Sequence, residues 1–217
     1  MAESSETSLT ARRTAGRPRD AGLEHRALAA ALELYADAGW AGFSLDTVAR
    51  RAAVGKAALY RRWKNKEELL LAALDAYSLT VEPIDTGNIR DDLLAVARAV
   101  LTSYLRGSAG LAGLRLFVEA RTQPELLAKS WDEVNSSRVR AARTMVRRAV
   151  ERGELPPGTS ATVLLEALTG GVTTHALAAP AGPGREVSAD DEQFTVDLVE
   201  MILRGARCQC ARPDCTG

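Results

Sequence analysis

The segment from Ser44 to Lys66 carries seven Lys or Arg side chains and one acid, Asp46, the densest positive charge in the chain. A cation cluster of this kind displaces the counterions condensed on a nucleic acid and so supplies salt-dependent affinity. Within it, Leu59 and Trp63 stand one helical turn apart and suit packing. That commitment turns Lys56, Ala57, Tyr60 and Arg61 to the outer side, with Arg62 and Lys64 at the C-terminal flank. Small side chains at Ala57 and Ala58 would let a helix approach base edges and thymine methyls, and the Tyr60 hydroxyl suits a phosphate. On charge alone, a merely solvated basic face stays open as an alternative.

Catalytic chemistry finds little support. There is no nucleophile elbow, no phosphate-binding glycine loop with its lysine and no zinc-binding helix pattern, and the histidines are His25 and His175 alone. The expectation is a protein that is not an enzyme and needs no cofactor. Cys208, Cys210 and Cys215 sit together near the C-terminus, which is no disulfide framework. A thiolate zinc site usually takes four ligands, so no metal site is expected there. A helical module for protein interaction without DNA binding also fits the composition, but it leaves the concentration of cations unexplained.

The elements that must hold these residues are helical. The 217 residues are 46% hydrophobic and 5% aromatic, enough for a sizeable core, and Ala, Leu and Arg are favoured over β-branched runs. The 28 basic residues balance 28 acids overall, yet from Arg12 to Lys66 twelve cations meet five acids, and from Glu67 onward sixteen meet twenty-one. One end suits a polyanion and the rest does not. No stretch is apolar enough for a membrane span and the polar start lacks a signal-peptide core, so the expected location is the cytoplasm.

Residues 1–19 read as a basic flexible arm. Leu23, Ala27, Ala31, Leu34 and Ala38 make one stripe of a helix over 21–38 that Gly39 would end, with Trp40 and Phe43 as buried anchors. Ser44 reads as the N-cap of a second helix that breaks at Ala53, Val54 and Gly55, and a third starts at Lys56. Two short helices with so tight a turn form a helix-turn-helix. Asn65 with Glu68 reads as a capping box for a fourth. Further helices are expected at 89–106, 109–122, 124–152, 161–179 and 189–204, bounded by Gly, Pro and Ser markers, with 205–217 a disordered tail.

The run SLDTVARRAAVGKAALYRRWKNKEELLLAAL, together with GWAGFS before it, resembles the DNA-binding domain of the TetR/AcrR family of bacterial transcriptional regulators. The match covers roughly Leu28 to Leu74. Family members often have Gly where Ala53 stands and Ser where Gly55 stands, which we take as turn variation. The resemblance implies an all-α fold of about nine helices, with a three-helix DNA-binding domain over 20–66 and a ligand-binding and dimerisation domain over 67–204. By the same resemblance Ser44 and Thr47 touch phosphate, Lys56, Ala57 and Ala58 read bases, and Tyr60, Arg61 and Arg62 contact phosphate. Lys66 would bind phosphate at the fourth helix's N-terminus. Arg17, with Arg12, Arg13 and Arg19, could reach a minor groove or remain in a solvated tail.

For the body, the resemblance implies a homodimer through the last two helices. Leu164, Leu168, Gly171, Phe194, Leu198 and Ile202 are its candidate contacts, with ordinary intrachain core as the alternative. Gly170 and Gly171 within a helix suggest a close neighbour. An effector pocket among the middle helices would draw on Tyr104, Arg115, Phe117, Glu119, Trp131, Glu166, Thr169, Thr173 and His175, although His175 and Trp131 also suit a core. So few aromatics imply a wall of Leu, Val and Ala, hence an apolar or amphipathic small molecule. The expected function is a repressor released from a palindromic operator by that effector.

Overall fold

A computed structural model describes residues 21–77, 84–179 and 185–208, with the side chains at 21, 125–131, 133 and 134 outside that description. Among the described residues the chain forms nine helices and no strand: α1 (Ala21–Gly42), α2 (Leu45–Arg51), α3 (Lys56–Tyr60), α4 (Lys66–Tyr77), α5 (Ile89–Leu105), α6 (Ala109–Thr122), α7 (Pro124–Glu151), α8 (Ala161–Ala178) and α9 (Ala189–Arg207). The all-α expectation holds. The helix starts follow local chemistry, since Ser44, Asn88, Ser160 and Ser188 each accept a backbone N–H of the first turn on a side-chain oxygen. Asn65 does likewise for Glu68, but the Glu68 carboxylate reaches back to the amide of Lys64 rather than to that of Asn65.

Two boundaries differ from the pattern-based reading for clear reasons. α1 does not stop at Gly39 but breaks there, with φ 64° and ψ −170°, and resumes as far as Gly42. α9 runs on to Arg207, into the segment expected to be a tail. The turn after α2 is a Schellman motif: Val54 N–H donates to Ala49 C=O at 3.0 Å and Ala53 N–H to Arg50 C=O at 3.3 Å. Ala53 occupies the left-handed position at φ 52°, where most helices place glycine.

Two apolar cores result. One joins α1 to α4 through Tyr35, Phe43, Leu59, Leu69 and Leu70. The second joins α5, α7, α8 and α9 through Leu93, Leu101, Met145, Leu168 and Leu203. α6 contributes Ala112, Leu116 and Ala120 to the first, so the N-terminal head, α1 to α4, is packed directly on a helix of the body. Of the two glycines in α8, Gly171 lies against Leu198 of α9, where a Cβ would come within 2.8 Å, whereas Gly170 faces open space. The expected close neighbour exists at Gly171 alone.

Candidate nucleic-acid interface

The inner faces of the two short helices are spent on the head's core: Leu45, Val48, Ala49, Ala52, Leu59 and Trp63 are all buried. The outer face is what remains. Lys56, Ala57, Tyr60, Arg61 and Lys64 are exposed and Ala58 is half-buried, with Tyr60 54% exposed despite its apolar ring. Arg61 and Lys64 make no ion pair among the described residues, so their charges are available to an outside anion.

Asp46, in the first turn of α2, ties the two helices together. It accepts from Lys56 Nζ at 2.6 Å and from the Tyr60 hydroxyl at 3.3 Å. The hydrogen bond from Lys56 holds its carboxyl below the usual carboxylate range. All three groups are open to water, so the tie presets Lys56 and Tyr60 yet yields readily to a stronger anion. Ser44 and Thr47 are half-buried, their hydroxyls 2.8 Å apart at the start of α2.

Two expected contacts are placed differently. Arg62 turns back to α1, half-buried, with Nη1 3.5 Å from Glu24 Oε2. Lys66 donates from Nζ to Trp40 C=O at 2.9 Å and lies over the Trp40 ring at 3.9 Å. Burial pulls its pKa down, and the nearby Glu119 charge opposes that shift. An ammonium has three donors, so Lys66 keeps two beyond this bond. Arg17 lies outside the described residues.

The same corner holds a feature that sequence reasoning assigned elsewhere. The break at Gly39 leaves the Trp40 amide without a helical acceptor, and Glu119 of α6 takes it at 3.1 Å. Glu119 also accepts from the buried Tyr35 hydroxyl at 2.7 Å, and burial with this bond pushes the Tyr35 pKa up. Arg115 stands 3.9 Å from Glu119. Glu119 and Arg115 were expected in an effector pocket; here they face Gly39 and Trp40, because that is where the unsatisfied amide lies.

A cavity of about 330 Å³ opens between α4, α5, α6, α7 and α8. Tyr104, Phe117, Glu166, Thr169 and Thr173, all expected in an effector pocket, line it. His175 does not: its Nε2 is 2.9 Å from Asp191 and its ring stacks on Phe194 at 3.9 Å. The side chain of Trp131 lies outside the described residues. Tyr77 and Arg138, which the sequence did not single out, complete the wall. Of the candidate dimer contacts, Leu164, Leu168 and Leu198 are buried in the subunit's own core, Gly171 packs on Leu198, and Phe194 and Ile202 are half-buried. The outward stripe of α8 is instead Val163, Ala167, Gly170, Thr174 and Leu177, with Met201 exposed on α9.

Comparison with known proteins places this architecture. Residues 27–73 match the model of the bacterial regulatory proteins of the tetR family, and residues 83–200 match that of the tetracyclin repressor-like C-terminal domain. The HTH-type transcriptional regulator AqdR of Rhodococcus erythropolis is 33% identical over 153 residues, covering 70% of this chain and 73% of its own. The DNA-binding transcriptional repressor TetR of Mycobacteroides abscessus is 49% identical over 70 residues, covering 31% of this chain and 37% of its own. A crystal structure of a TetR family transcription regulator superposes with a TM-score of 0.59 at 30% identity, covering 84% of this chain and 97% of that one.

Proposed function

Since the chain belongs to the tetR family of bacterial regulatory proteins, and is a helix-turn-helix transcriptional regulator, we propose that it acts as a homodimeric repressor whose α3 reads the major groove. The observation that carries this is the outer face of α3: Lys56, Ala57, Tyr60 and Arg61 stand free of the core, and Asp46 holds two of them in place. Ala57 and Ala58 leave room for base edges. Ser44, Thr47, Tyr60, Arg61 and Lys64 are positioned for phosphates, and the two remaining donors of Lys66 can add a further one. Arg62, paired with Glu24, acts from behind the helix.

Two heads must sit about one DNA turn apart, roughly 34–36 Å, or somewhat farther, to engage both halves of a palindrome. Val163, Ala167, Gly170, Thr174 and Leu177 of α8, with Met201 of α9, form the face we assign to the partner subunit. Its middle residues are small, which permits close approach of two helices. The cavity between α4 and α8 is the effector site in this reading, and a ligand there lowers DNA affinity. No helix among the described residues is long and apolar enough to cross a membrane.

The test is a mobility-shift titration of the full chain against duplexes covering the DNA around its own gene, at two salt concentrations. A regulator binds one fragment with a steep salt slope. Arg61→Ala and Tyr60→Phe weaken all duplexes alike, while Lys56→Ala changes the preferred sequence at a cost of about 1–3 kcal/mol at one base pair. Affinity for every fragment equal to that of random duplex, or all three variants behaving as the parent does, would refute the assignment.

A further inference from the structure

We propose that the cavity binds a small amphipathic acid, an apolar body carrying one carboxylate, and that Arg138 of α7 receives the carboxylate. The proposal rests on the effector-site reading above and names the chemistry of that site. Arg138 lines the cavity, where it meets solvent, yet it makes no ion pair or hydrogen bond among the described residues. It is exposed on α7, yet neighbouring protein desolvates it enough to lower its pKa. A guanidinium in that position is a donor set without an acceptor, and a carboxylate is the planar partner that fits its fork.

A second donor points the same way. Tyr77 lines the same cavity, its hydroxyl is buried without a hydrogen-bond partner among the described residues, and burial pushes its pKa up. An unused buried donor is costly, so a ligand oxygen that reaches it gains more than the exchange of one hydrogen bond for another. The rest of the wall is chiefly Leu32, Leu74, Val100, Leu114, Leu116 and Phe117, which suits a hydrocarbon body. A wider groove of about 960 Å³ lies beside the cavity and shares Leu32, Tyr77, Ser103, Tyr104 and Ala109 with it. At Gly110 a Cβ would fall 2.7 Å from the Tyr104 ring, so the absence of a side chain there keeps that wall in place.

Glu166 lies in the wall too and would attract a cation, so the sign of the ligand must be decided. Glu166 and Arg138 are both exposed, but desolvation lowers the pKa of Arg138, and the wall's other unused polar group, the Tyr77 hydroxyl, is a donor that suits an anion. The gain from pairing is larger for the group already desolvated, and it favours the anion.

Three probes of one chain length decide the matter: octanoate, octanol and octylamine, titrated calorimetrically into the full-length protein without DNA near neutral pH. Octanoate is expected to bind at least about tenfold more tightly than either of the others. Arg138→Gln lowers octanoate affinity by about tenfold and leaves octanol unchanged, while Arg138→Lys, which keeps the charge, retains most of the preference. The idea is overturned if octanol or octylamine binds as tightly as octanoate, if octanoate is not bound at millimolar concentration, or if Arg138→Gln leaves its affinity unaltered. Should that variant not fold, the headgroup ranking of the parent protein decides alone. These readouts need no DNA, so their failure is distinct from failure of the regulator reading, which shows as absence of duplex binding.

Discussion

Replacing Glu119 with Ala removes the acceptor on which the reading head is fastened to α6. Two donors are stranded: the Tyr35 hydroxyl, on a residue with 0% exposure, and the Trp40 amide, freed by the break at Gly39. Each unsatisfied buried donor costs about 1–3 kcal/mol, so the loss comes to about 2–6 kcal/mol. For a chain of this length that lowers the melting temperature by on the order of 10 °C. Urea unfolding followed by Trp fluorescence, at fixed protomer concentration, reads the change, since a dimer's stability depends on that concentration.

The pair should also fail additivity. With Tyr35→Phe in place, Glu119→Ala strands only one donor, so the double variant is about 1–2 kcal/mol more stable than the sum of the single changes implies. Glu119→Gln can keep its oxygen where Oε2 accepts from both donors, but it loses the charge and turns an NH₂ towards the Trp40 amide, and falls between. Stability of Glu119→Ala within about 0.5 kcal/mol of the parent, or an additive cycle, would refute the fastening as described.

Ala53→Gly relieves a left-handed alanine worth about 1 kcal/mol, against a loss of unfolded-state restriction of about 0.4–1 kcal/mol, and should raise stability by up to about 0.5 kcal/mol in the same urea assay; a clear decrease contradicts the Schellman reading. Asp191 is buried at the start of α9; burial alone would raise its pKa, but bonds from Arg185, Ser188 and His175 hold it below the usual carboxylate range. Its stabilising share is therefore full above about pH 4 and is lost as pH falls through the depressed folded value. Asp191→Asn should cost about 2–4 kcal/mol near neutral pH and flatten the acid limb of a stability-against-pH curve; an unchanged limb speaks against it.

Helix positions were legible because apolar spacing and capping chemistry are local. Ser44, Ser160 and Ser188 fix starts by bonds within three residues, and Leu59 with Trp63 fixes which side of α3 is free. Partners distant in sequence were not legible. Glu119 was expected in an effector pocket, but its amide partner is 79 residues away and arises only because Gly39 breaks α1. Leu164, Leu168 and Leu198 show why periodicity cannot separate a subunit's own core from an interface: both bury the same stripe. Arg138 sits among Arg140, Arg143, Arg147 and Arg148, and only the cavity on one side of α7 distinguishes it.

In the effector-site reading, the positions of these residues along α6 give a cavity ligand its route to DNA. Gly113 and Phe117 line the cavity, Leu116 and Ala120 belong to the head's core, and Glu119 holds Trp40, all within about two turns of one helix. A ligand that displaces this helix must carry the head along or break its fastening. It can lower DNA affinity a hundredfold only by binding the displaced arrangement about 2.7 kcal/mol more tightly. Glu119→Ala removes the fastening without touching the cavity wall. Octanoate should therefore bind the variant with unchanged affinity while its effect on duplex binding shrinks by tenfold or more. An undiminished effect would mean that the head follows the ligand through the apolar contacts of Leu116 and Ala120 alone.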